Sequence, residues 1–219
     1  MEDFSARAKG FDTDRRQERA RALAAVLYSI IGKAAGKTAR KTARKTAMEF
    51  GCGTGLVGLA LADCMAAEGD AFASLVFVDS APGMISQLKE KLKQRDDDAF
   101  SAVCCDLLAE TPENRQVDVI FSSLVLHHIA DTAAALARLY DLLTPGGLLL
   151  IVDLDSEDGG FHAHEPDFDG HNGFDRPALV QTARRAGFAQ ARAEHAYWDK
   201  KMTNGVELDY ALFVLIAQK

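Results

Sequence analysis

The sequence predicts an α/β fold in which short buried strands alternate with helices. One observation is the apolar strand end at Met48 to Phe50, which enters a glycine-rich turn and then a segment of helical composition, Leu56 to Ala67. A second observation is that apolar runs of strand length recur downstream, separated by helical or polar segments. Because this alternation is typical of βα units, it favours a mostly parallel sheet.

Length and composition restrict the class of protein. The chain has 219 residues, 48% of them hydrophobic and 26% charged, which suits one soluble α/β domain over 1–219. The longest apolar runs are too short to span a bilayer, and the N-terminus lacks the apolar region of a signal peptide. The four cysteines show neither metal spacing nor a disulfide framework. We therefore expect a cytoplasmic protein without membrane association.

Charge is distributed unevenly along the chain. The net charge of −7 argues against a general nucleic-acid binder. Residues 13–31 have apolar positions on one helical face, with arginines near the start, and predict an amphipathic cap helix. A basic tetrapeptide repeat follows over 36–47. It is interpreted as a solvated linker, with a site for an anionic partner as the alternative.

The glycine-rich turn is the strongest single motif. Gly51, Gly53 and Gly55 are positions where the backbone can take a positive φ or approach a ligand closely. A strand, such a turn and a helix N-terminus together favour a site for part of a nucleotide-like ligand. The spacing also satisfies the G-x-G-x-x-G dinucleotide pattern. Glu49 opposes that alternative, because an acid there repels phosphates and attracts a cationic amino-acid ligand.

The next strands end in polar residues at one predicted sheet edge. Ser74 to Asp79 is a continuously apolar strand ending in an acid that suits a ribose, or that caps the following helix. Phe100 to Cys105 and Val117 to Ser123 are the third and fourth strands. Leu124 to Ile129 then crosses the carboxyl edge, where ligands bind in open α/β sheets. The intervening stretch, Gln87 to Asp98, is predicted to be a charged helix and loop and is interpreted as solvated surface.

The remaining elements complete the alternation. The pattern predicts a helix over Thr132 to Leu143, stopped by Pro145-Gly146-Gly147 before the strand Leu148 to Asp153. Another helix, Arg176 to Ala186, has Asp175 as its N-cap. The last two predicted strands are Ala189 to His195 and Leu208 to Ala217, joined by a connection over 197–205.

These motifs together resemble a known family. Glu49-Phe-Gly-Cys-Gly-Thr-Gly55 resembles the first motif of the class I S-adenosylmethionine-dependent methyltransferases. Four further motifs follow in the order of that family as far as about residue 155, and Ser122 to Asp131 resembles the fourth motif of its small-molecule branch. The resemblance implies a Rossmann-like three-layer sandwich whose seven-stranded, mostly parallel sheet has an antiparallel last strand. It also divides the chain into a cap and linker (1–46), a cofactor-binding half (47–155) and a segment with lid, helix and two strands (156–219).

The resemblance assigns roles residue by residue. It implies S-adenosyl-L-methionine as the cofactor and makes His127 and His128 the candidates for a base or an acceptor-orienting group. Asp79 would hold the ribose, and Asp106 the adenine amino group. The cofactor-binding candidates are Glu49, Gly51, Cys52, Gly53, Gly55, Asp79, Ser80, Met84, Asp106, Leu107 and Ser122.

The stretch from Asp153 to His171 is rich in histidines and acids and is expected to lie above the pocket. This composition suits a general base, a site for a cationic substrate, a divalent metal site, or a polar lid without ligands. We expect substrate contacts from Glu157, His162 and His171. We expect no bound metal, because the spacing shows no tight ligand geometry.

The expected function is methyl transfer to an oxygen or carbon nucleophile of a small molecule. The fourth strand is not followed by an Asn-Pro-Pro-Tyr-type motif or an inserted nucleic-acid module, which disfavours amino methylation of DNA or protein glutamine. Two alternatives stay open: a catalytically silent S-adenosylmethionine-binding protein and, less favoured, an NAD-dependent oxidoreductase. The oligomeric state is not predicted.

Overall fold

The computed structural model describes residues 4–34, 45–95, 97–110, 116–165, 167–203 and 205–219. Helices separate most of the strands along the described chain, as the sequence predicts. The helices are α1 (Phe4–Arg7), α2 (Asp14–Ala34), α3 (Leu56–Ala67), α4 (Pro82–Arg95), α5 (Thr132–Asp141) and α6 (Arg176–Arg185). The strands are β1 (Thr46–Phe50), β2 (Ser74–Asp79), β3 (Phe100–Cys104), β4 (Val117–Ser123), β5 (Leu143–Leu154), β6 (Gln190–Thr203) and β7 (Val206–Gln218). Short 3₁₀ turns lie at Ala8–Gly10, Leu126–His128 and Gly160–His162.

The strands form one seven-stranded sheet in the order β3-β2-β1-β4-β5-β7-β6. β1 pairs with β2, and β2 with β3, in parallel. The last strand in the chain, β7, pairs antiparallel with both β5 and β6. The predicted mostly parallel sheet with an antiparallel last strand is confirmed.

The internal contacts divide the chain into two compact units, the first of which is Asp3–Ile120. In it, β1 and β2 are buried over most of their length because both faces of these apolar strands are covered. Helix α2 packs against α3. Leu23 and Leu27 of α2 are fully buried, which agrees with the predicted apolar face of this helix.

The second unit is Phe121–Lys219. Every residue of β5 from Gly147 to Leu154 is buried, and the matching part of β7 supplies the other side of the ladder. Helix α6 begins at the predicted N-cap, because the Asp175 side chain accepts a hydrogen bond from the Ala178 N–H at 2.8 Å. The antiparallel pair of β6 and β7 forms a long hairpin.

Two parts of the sequence-based description are wrong. The segment from Gln87 to Asp98 is not only solvated surface, because α4 runs from Pro82 to Arg95 and buries Leu88 completely. The charge-rich composition concealed the apolar face of this helix. The connection expected over 197–205 is mostly strand, because β6 continues through a bulge between His195 and Tyr197 as far as Thr203. Cross-strand pairing with β7 extends β6, and local composition gives no signal of such pairing.

Element ends also differ from the expected positions. Helix α5 ends at Asp141, two residues before the expected end, and β5 begins at Leu143, before the Pro-Gly-Gly turn. The Gly146 N–H donates to the carbonyl oxygen of Lys219 at 3.1 Å, so the chain is already paired with the end of β7 there. Trp198, for which the sequence allowed core or pocket wall, has 58% of its surface exposed.

The basic repeat and the absence of a membrane span were also predicted from the sequence. The basic repeat over 37–45 lies almost entirely outside the described residues. Among the helices that the structure describes, none combines the length and the apolar character required to cross a bilayer.

Candidate active site

The glycine turn has the conformation that the sequence predicts. Gly51, Gly53 and Gly55 have φ values of 65°, 54° and 77°, in the left-handed region that favours glycine. At Gly55 a side chain is also excluded by packing, since an added Cβ would lie 2.5 Å from Cδ1 of Leu88. The absence of side chains at these three positions lets the backbone of the turn approach a ligand closely.

Glu49 lies beneath this turn. Its side chain is 2% exposed, and Oε2 accepts a hydrogen bond from the Gly58 N–H at 3.2 Å. Any side chain at position 58 would collide with Glu49 and Phe77, so the glycine there permits α3 to pack closely on the strands. Burial raises the pKa of Glu49 well above its usual range. A cationic ligand group near this carboxyl would favour its ionised form.

Asp79 connects the ends of β1 and β2. One carboxylate oxygen accepts the Gly53 N–H at 2.7 Å, and the other accepts the Ala81 N–H at 2.8 Å. Burial raises the pKa of Asp79, although both hydrogen bonds oppose that shift. A carboxylate has about four acceptor sites, so two remain for further donors such as ribose hydroxyls.

The other cofactor candidates of the first unit differ in exposure. Cys52 is 7% exposed, and burial raises the pKa of its thiol well above the usual range. Met84 and Leu107 are each 1% exposed. Ser80 and Asp106 are exposed, and a carboxylate oxygen of Asp106 accepts the Leu108 N–H at 3.0 Å.

The segment before α2 covers the glycine turn. The Phe11 ring lies over Gly53, where an added Cβ would be 3.7 Å from Cε1 of Phe11. Asp12 accepts a hydrogen bond from the Thr54 hydroxyl and pairs with the Lys91 ammonium at 2.6 Å. Lys91 also donates to the Thr54 carbonyl oxygen at 2.7 Å. We call Asp12, Thr54 and Lys91 the cap contact; it ties the N-terminal segment to α4 across the turn.

In the second unit, His127 is held by a buried carboxylate. Its Nδ1 lies 2.6 Å from Oδ1 of Asp153, and the two side chains are 1% and 0% exposed. Asp153 also accepts the backbone N–H groups of His127 and Leu154, at 3.2 and 2.8 Å. Because an oxygen of Asp153 is the acceptor facing Nδ1, the hydrogen bond places the proton of the neutral imidazole on Nδ1. Nε2 of His127 then carries the lone pair, and it is buried without a hydrogen-bond partner among the described residues.

Two further histidines adjoin His127. The ring centroids of His128 and His162 lie 4.1 and 5.1 Å from that of His127. One ligand nitrogen from each of the three residues lies within 4.8 Å of the others. The His162 ring stacks on Phe168 at 3.7 Å with an interplanar angle of 4°. We call His127, His128 and His162 the histidine cluster.

Burial sets the charge state of one cluster member. It lowers the pKa of His162 to about 4, and the nearby His127 acts in the same direction. His162 is therefore neutral at pH 7. Its Nδ1 is buried and, among the described residues, has no hydrogen-bond partner.

The other predicted residues of this unit are held by local contacts. Nε2 of His171 lies 3.0 Å from the carbonyl oxygen of Ile129 and 3.3 Å from the Thr132 hydroxyl. Oε2 of Glu157 accepts the Phe161 N–H at 3.0 Å, while Oε1 is buried without a partner within the described chain. Ser122 is fully buried in β4. The structure thus brings His162, but not His171, into the cluster formed by the two adjacent histidines.

A comparison with protein families finds a match. A family model described as a methyltransferase domain matches residues 48–149, which include the glycine turn, Asp79 and the two adjacent histidines. The matched region covers slightly less than half of the chain. Its similarity supports the predicted methyltransferase class, with S-adenosyl-L-methionine as the cofactor.

Curated relatives of this methyltransferase match over parts of their length. A hybrid PKS-NRPS synthetase, lepA, from Aspergillus flavus is 30% identical over 113 residues, which are 50% of this chain and 3% of that protein. A trans-aconitate 2-methyltransferase from Methylobacterium radiotolerans is 32% identical over 79 residues, 36% of this chain and 28% of that protein. The match therefore spans well under a third of either relative.

A solved structure supports the fold. Phosphoethanolamine N-methyltransferase 2 from Haemonchus contortus, in complex with S-adenosyl-L-methionine, has a TM-score of 0.66 to this methyltransferase at 17% identity. The similarity covers 88% of this chain and 52% of that one. At this identity the likeness establishes the fold alone.

Sequence reasoning did not assign a role to several residues around these clusters. Asp153 was placed at the end of a strand and at the start of the acid-rich stretch without a role of its own, although an acid that follows a run of buried apolar residues is itself a signal. The cap contact was not anticipated, because Asp12 and Lys91 are 79 positions apart. Phe168 stacks on His162 from a segment in which no periodicity indicated burial.

Proposed function

We propose that this methyltransferase moves the methyl group of S-adenosylmethionine to an oxygen or carbon nucleophile of a small molecule. Glu49, the glycine turn and Asp79 are the groups that hold the donor in this proposal. They supply a carboxyl for the cationic amino-acid part, a glycine backbone that a ligand can approach closely, and free acceptor sites for ribose hydroxyls. Ser80, Asp106 and Ser122 are proposed as further polar contacts, and Cys52, Met84 and Leu107 as apolar ones.

The reaction is a displacement at carbon. The bond between sulfur and the methyl carbon breaks, its electron pair returns to sulfur, and an electron pair of the acceptor forms the new bond. The sulfonium becomes the neutral thioether of S-adenosylhomocysteine, and the acceptor loses a proton. Since the sulfonium is a good leaving group, the enzyme has to align the two reactants and favour the ionised acceptor.

The acceptor class is proposed from the lone pair at Nε2 of His127. A buried imidazole held in one tautomer by Asp153, with its second nitrogen unpartnered among the described residues, suits an acceptor that must lose a proton. Hydroxyl groups and carbon acids have this need during the transfer itself, whereas an amine in its neutral form already has a reactive electron pair and loses its proton after the transfer. His128 and His162 extend the same cluster, and Glu157 and His171 are proposed as outer substrate contacts.

The cellular location of the protein is proposed from its cysteines. None of the four described cysteines, at positions 52, 64, 104 and 105, forms a disulfide. A reducing, cytoplasmic location suits a chain with four cysteines and no disulfide. A small-molecule acceptor, rather than a nucleic acid, agrees with the net charge of −7.

The test is methyl transfer from S-adenosylmethionine carrying a labelled methyl group. The acceptor panel should contain hydroxylated aromatics, carboxylates, β-ketoacyl thioesters and primary amines, with S-adenosylhomocysteine release as the common readout. We expect label on an oxygen or carbon acceptor, and much slower transfer in the His127→Gln variant at unchanged affinity for S-adenosylhomocysteine. Methylation of amines alone would contradict the acceptor class. Binding of NAD in place of S-adenosylhomocysteine would contradict the function itself.

A further inference from the structure

The histidine cluster has the composition and spacing of a metal site. One nitrogen from each of its three residues lies within 4.8 Å of the others. Nitrogen ligands of one Zn²⁺ lie about 3.4 Å apart when each metal–nitrogen distance is about 2.1 Å. The three nitrogens therefore lie up to about 1.4 Å further apart than in a zinc site, a difference that side-chain rotation would close on binding.

Two members of the cluster present buried nitrogens that lack partners in the described part of the chain. They are Nε2 of His127 and Nδ1 of His162. A buried polar atom without a hydrogen bond costs about 1 to 3 kcal/mol, so two in adjacent rings call for an explanation. A cation between the rings would satisfy both with one ligand.

Asp153 supplies a feature that accompanies histidine ligands in metalloproteins. Its carboxylate holds Nδ1 of His127 at 2.6 Å, so the lone pair of that ring is at Nε2, the atom that lacks a partner. A carboxylate behind a ligating histidine fixes the ring orientation, makes the imidazole more basic and adds a negative charge close to the metal. Asp153 is fully buried and already accepts two backbone N–H groups, so it is a rigid support.

The surroundings limit access of water to the cluster. Phe161 lies 6.4 and 5.0 Å, between ring centroids, from His127 and His162. Phe168 stacks on His162 and lies 5.5 Å from His128. Aromatic walls around three imidazoles resemble the dry setting in which a metal ion acts as a strong Lewis acid.

We propose that His127, His128 and His162 bind one divalent transition-metal ion, with Zn²⁺ as the best match. Imidazole ligands suit zinc, and three protein ligands leave a fourth position for an oxygen of the acceptor. The binding itself is independent of the proposed function, but its role rests on it. Coordination would use the lone pair of His127, so a bound ion would favour the ionised acceptor as a Lewis acid, and the acceptor would release its proton to solvent as it enters the site. The acceptor class is then a molecule with a hydroxyl or an enolisable carbonyl oxygen.

Metal binding can be measured directly on the full chain. Chelator-treated protein is titrated with Zn²⁺ by calorimetry and with Co²⁺ by visible absorption, without any acceptor. We expect one ion per chain with micromolar or tighter affinity, and Co²⁺ bands typical of tetrahedral nitrogen coordination. His128→Ala and His162→Ala should each weaken binding by at least 30-fold. His164→Ala is the matched control, because His164 is exposed and lies two residues from His162; its affinity should equal that of the parent protein.

Asp153→Asn provides a second variant that keeps the three imidazoles. The loss of the supporting carboxylate should weaken Zn²⁺ binding by 10- to 100-fold. Circular dichroism checks that each variant is folded. No binding to the parent protein, or equal binding to the His162→Ala and His164→Ala variants, would overturn the metal site.

The same samples separate this inference from the proposed function. If S-adenosylhomocysteine binds and methyl transfer survives chelation while no Zn²⁺ binds, His127 acts through its own lone pair. The proposed metal site is then wrong, and the proposed function stands. If Zn²⁺ binds and the panel shows no methyl transfer to oxygen or carbon, the metal site stands and the proposed acceptor class fails.

Discussion

Nδ1 of His127 and Oδ1 of Asp153 lie 2.6 Å apart, and both side chains are buried. The contact joins the 3₁₀ turn after β4 to the buried end of β5. It determines which nitrogen of His127 carries a proton, and so which nitrogen is left to meet an acceptor or a cation. Much of the chemistry that we propose for this methyltransferase depends on this pair.

Asp153→Asn is the direct test of the pair in catalysis. Asparagine keeps the size of the side chain but can present an amide N–H to Nδ1, which would favour the wrong tautomer. We expect turnover to fall by about 100-fold or more, while the affinity for S-adenosylhomocysteine stays the same. The control is Asp167→Asn, an exposed acid of the same region. Equal turnover in the two variants would show that the pair serves stability alone.

Asp79→Ala should weaken binding of S-adenosylhomocysteine by about 2 kcal/mol or more, or about 30-fold, in calorimetric titration. The substitution removes the acceptor of the Gly53 N–H together with the oxygens proposed for the ribose. Asp98→Ala, an exposed acid, is the control and should bind as the parent protein does. Unchanged affinity in Asp79→Ala would mean that this carboxylate only organises the turn.

Gly55→Ala tests the packing of the glycine turn. Its φ of 77° disfavours alanine, and the added methyl would press on Leu88. We expect a loss of about 2 to 4 kcal/mol in the free energy of unfolding. Gly146→Ala is a matched control, because φ is 79° there and nothing lies within 4 Å of the added atom; its cost should be about 1 to 2 kcal/mol. In a protein that already carries Leu88→Ala, the cost of Gly55→Ala should be closer to that of Gly146→Ala. Equal costs at the two glycines in the parent protein would show that the Leu88 side chain moves aside without a penalty.

Glu49→Gln tests the buried carboxyl through pH. Burial raises the pKa of Glu49 in the folded protein well above the unfolded value, so the folded state holds this proton more tightly. The stabilising effect is complete below the unfolded pKa and is lost as pH rises through the folded one. Urea unfolding between pH 5 and 9 should therefore give a flatter curve for Glu49→Gln, with greater stability than the parent protein on the alkaline side.

Glutamine at position 49 can still accept the Gly58 N–H, so this comparison isolates the charge. Glu90→Gln, at an exposed site of α4, should leave the pH dependence unchanged. A parallel pH dependence for the parent protein and the Glu49→Gln variant would show that Glu49 does not titrate in this range.

Asp12→Asn tests the cap contact. The change weakens the hydrogen bond to the Thr54 hydroxyl and removes the ion pair with Lys91. We expect faster hydrogen exchange in the segment before α2 and faster dissociation of S-adenosylhomocysteine, at a cost of about 1 kcal/mol in stability. Glu18→Gln, exposed on α2, is the control. Unchanged dissociation would limit the cap contact to a structural role.

Features that depend on residues close in the sequence were predicted correctly, and features that depend on distant residues were not. Strand, turn and helix signals act over a few residues, so β1, the glycine turn and α3 were predicted with their correct order and type. The apolar face of α4 and the extension of β6 were missed, because each depends on a partner that is distant in the chain.

The sequence by itself determined the α/β class, the left-handed glycines and the placement of Asp79 at the end of β2. These features are encoded locally, by residue type and short spacing. Only the tertiary structure decided that His162 joins His127 and His128, that Asp153 orients one of them, and that Asp12 reaches Lys91. Those contacts connect residues 26 to 79 positions apart, and which side chains meet depends on how the β5 strand, the segment after it and the N-terminal segment pack.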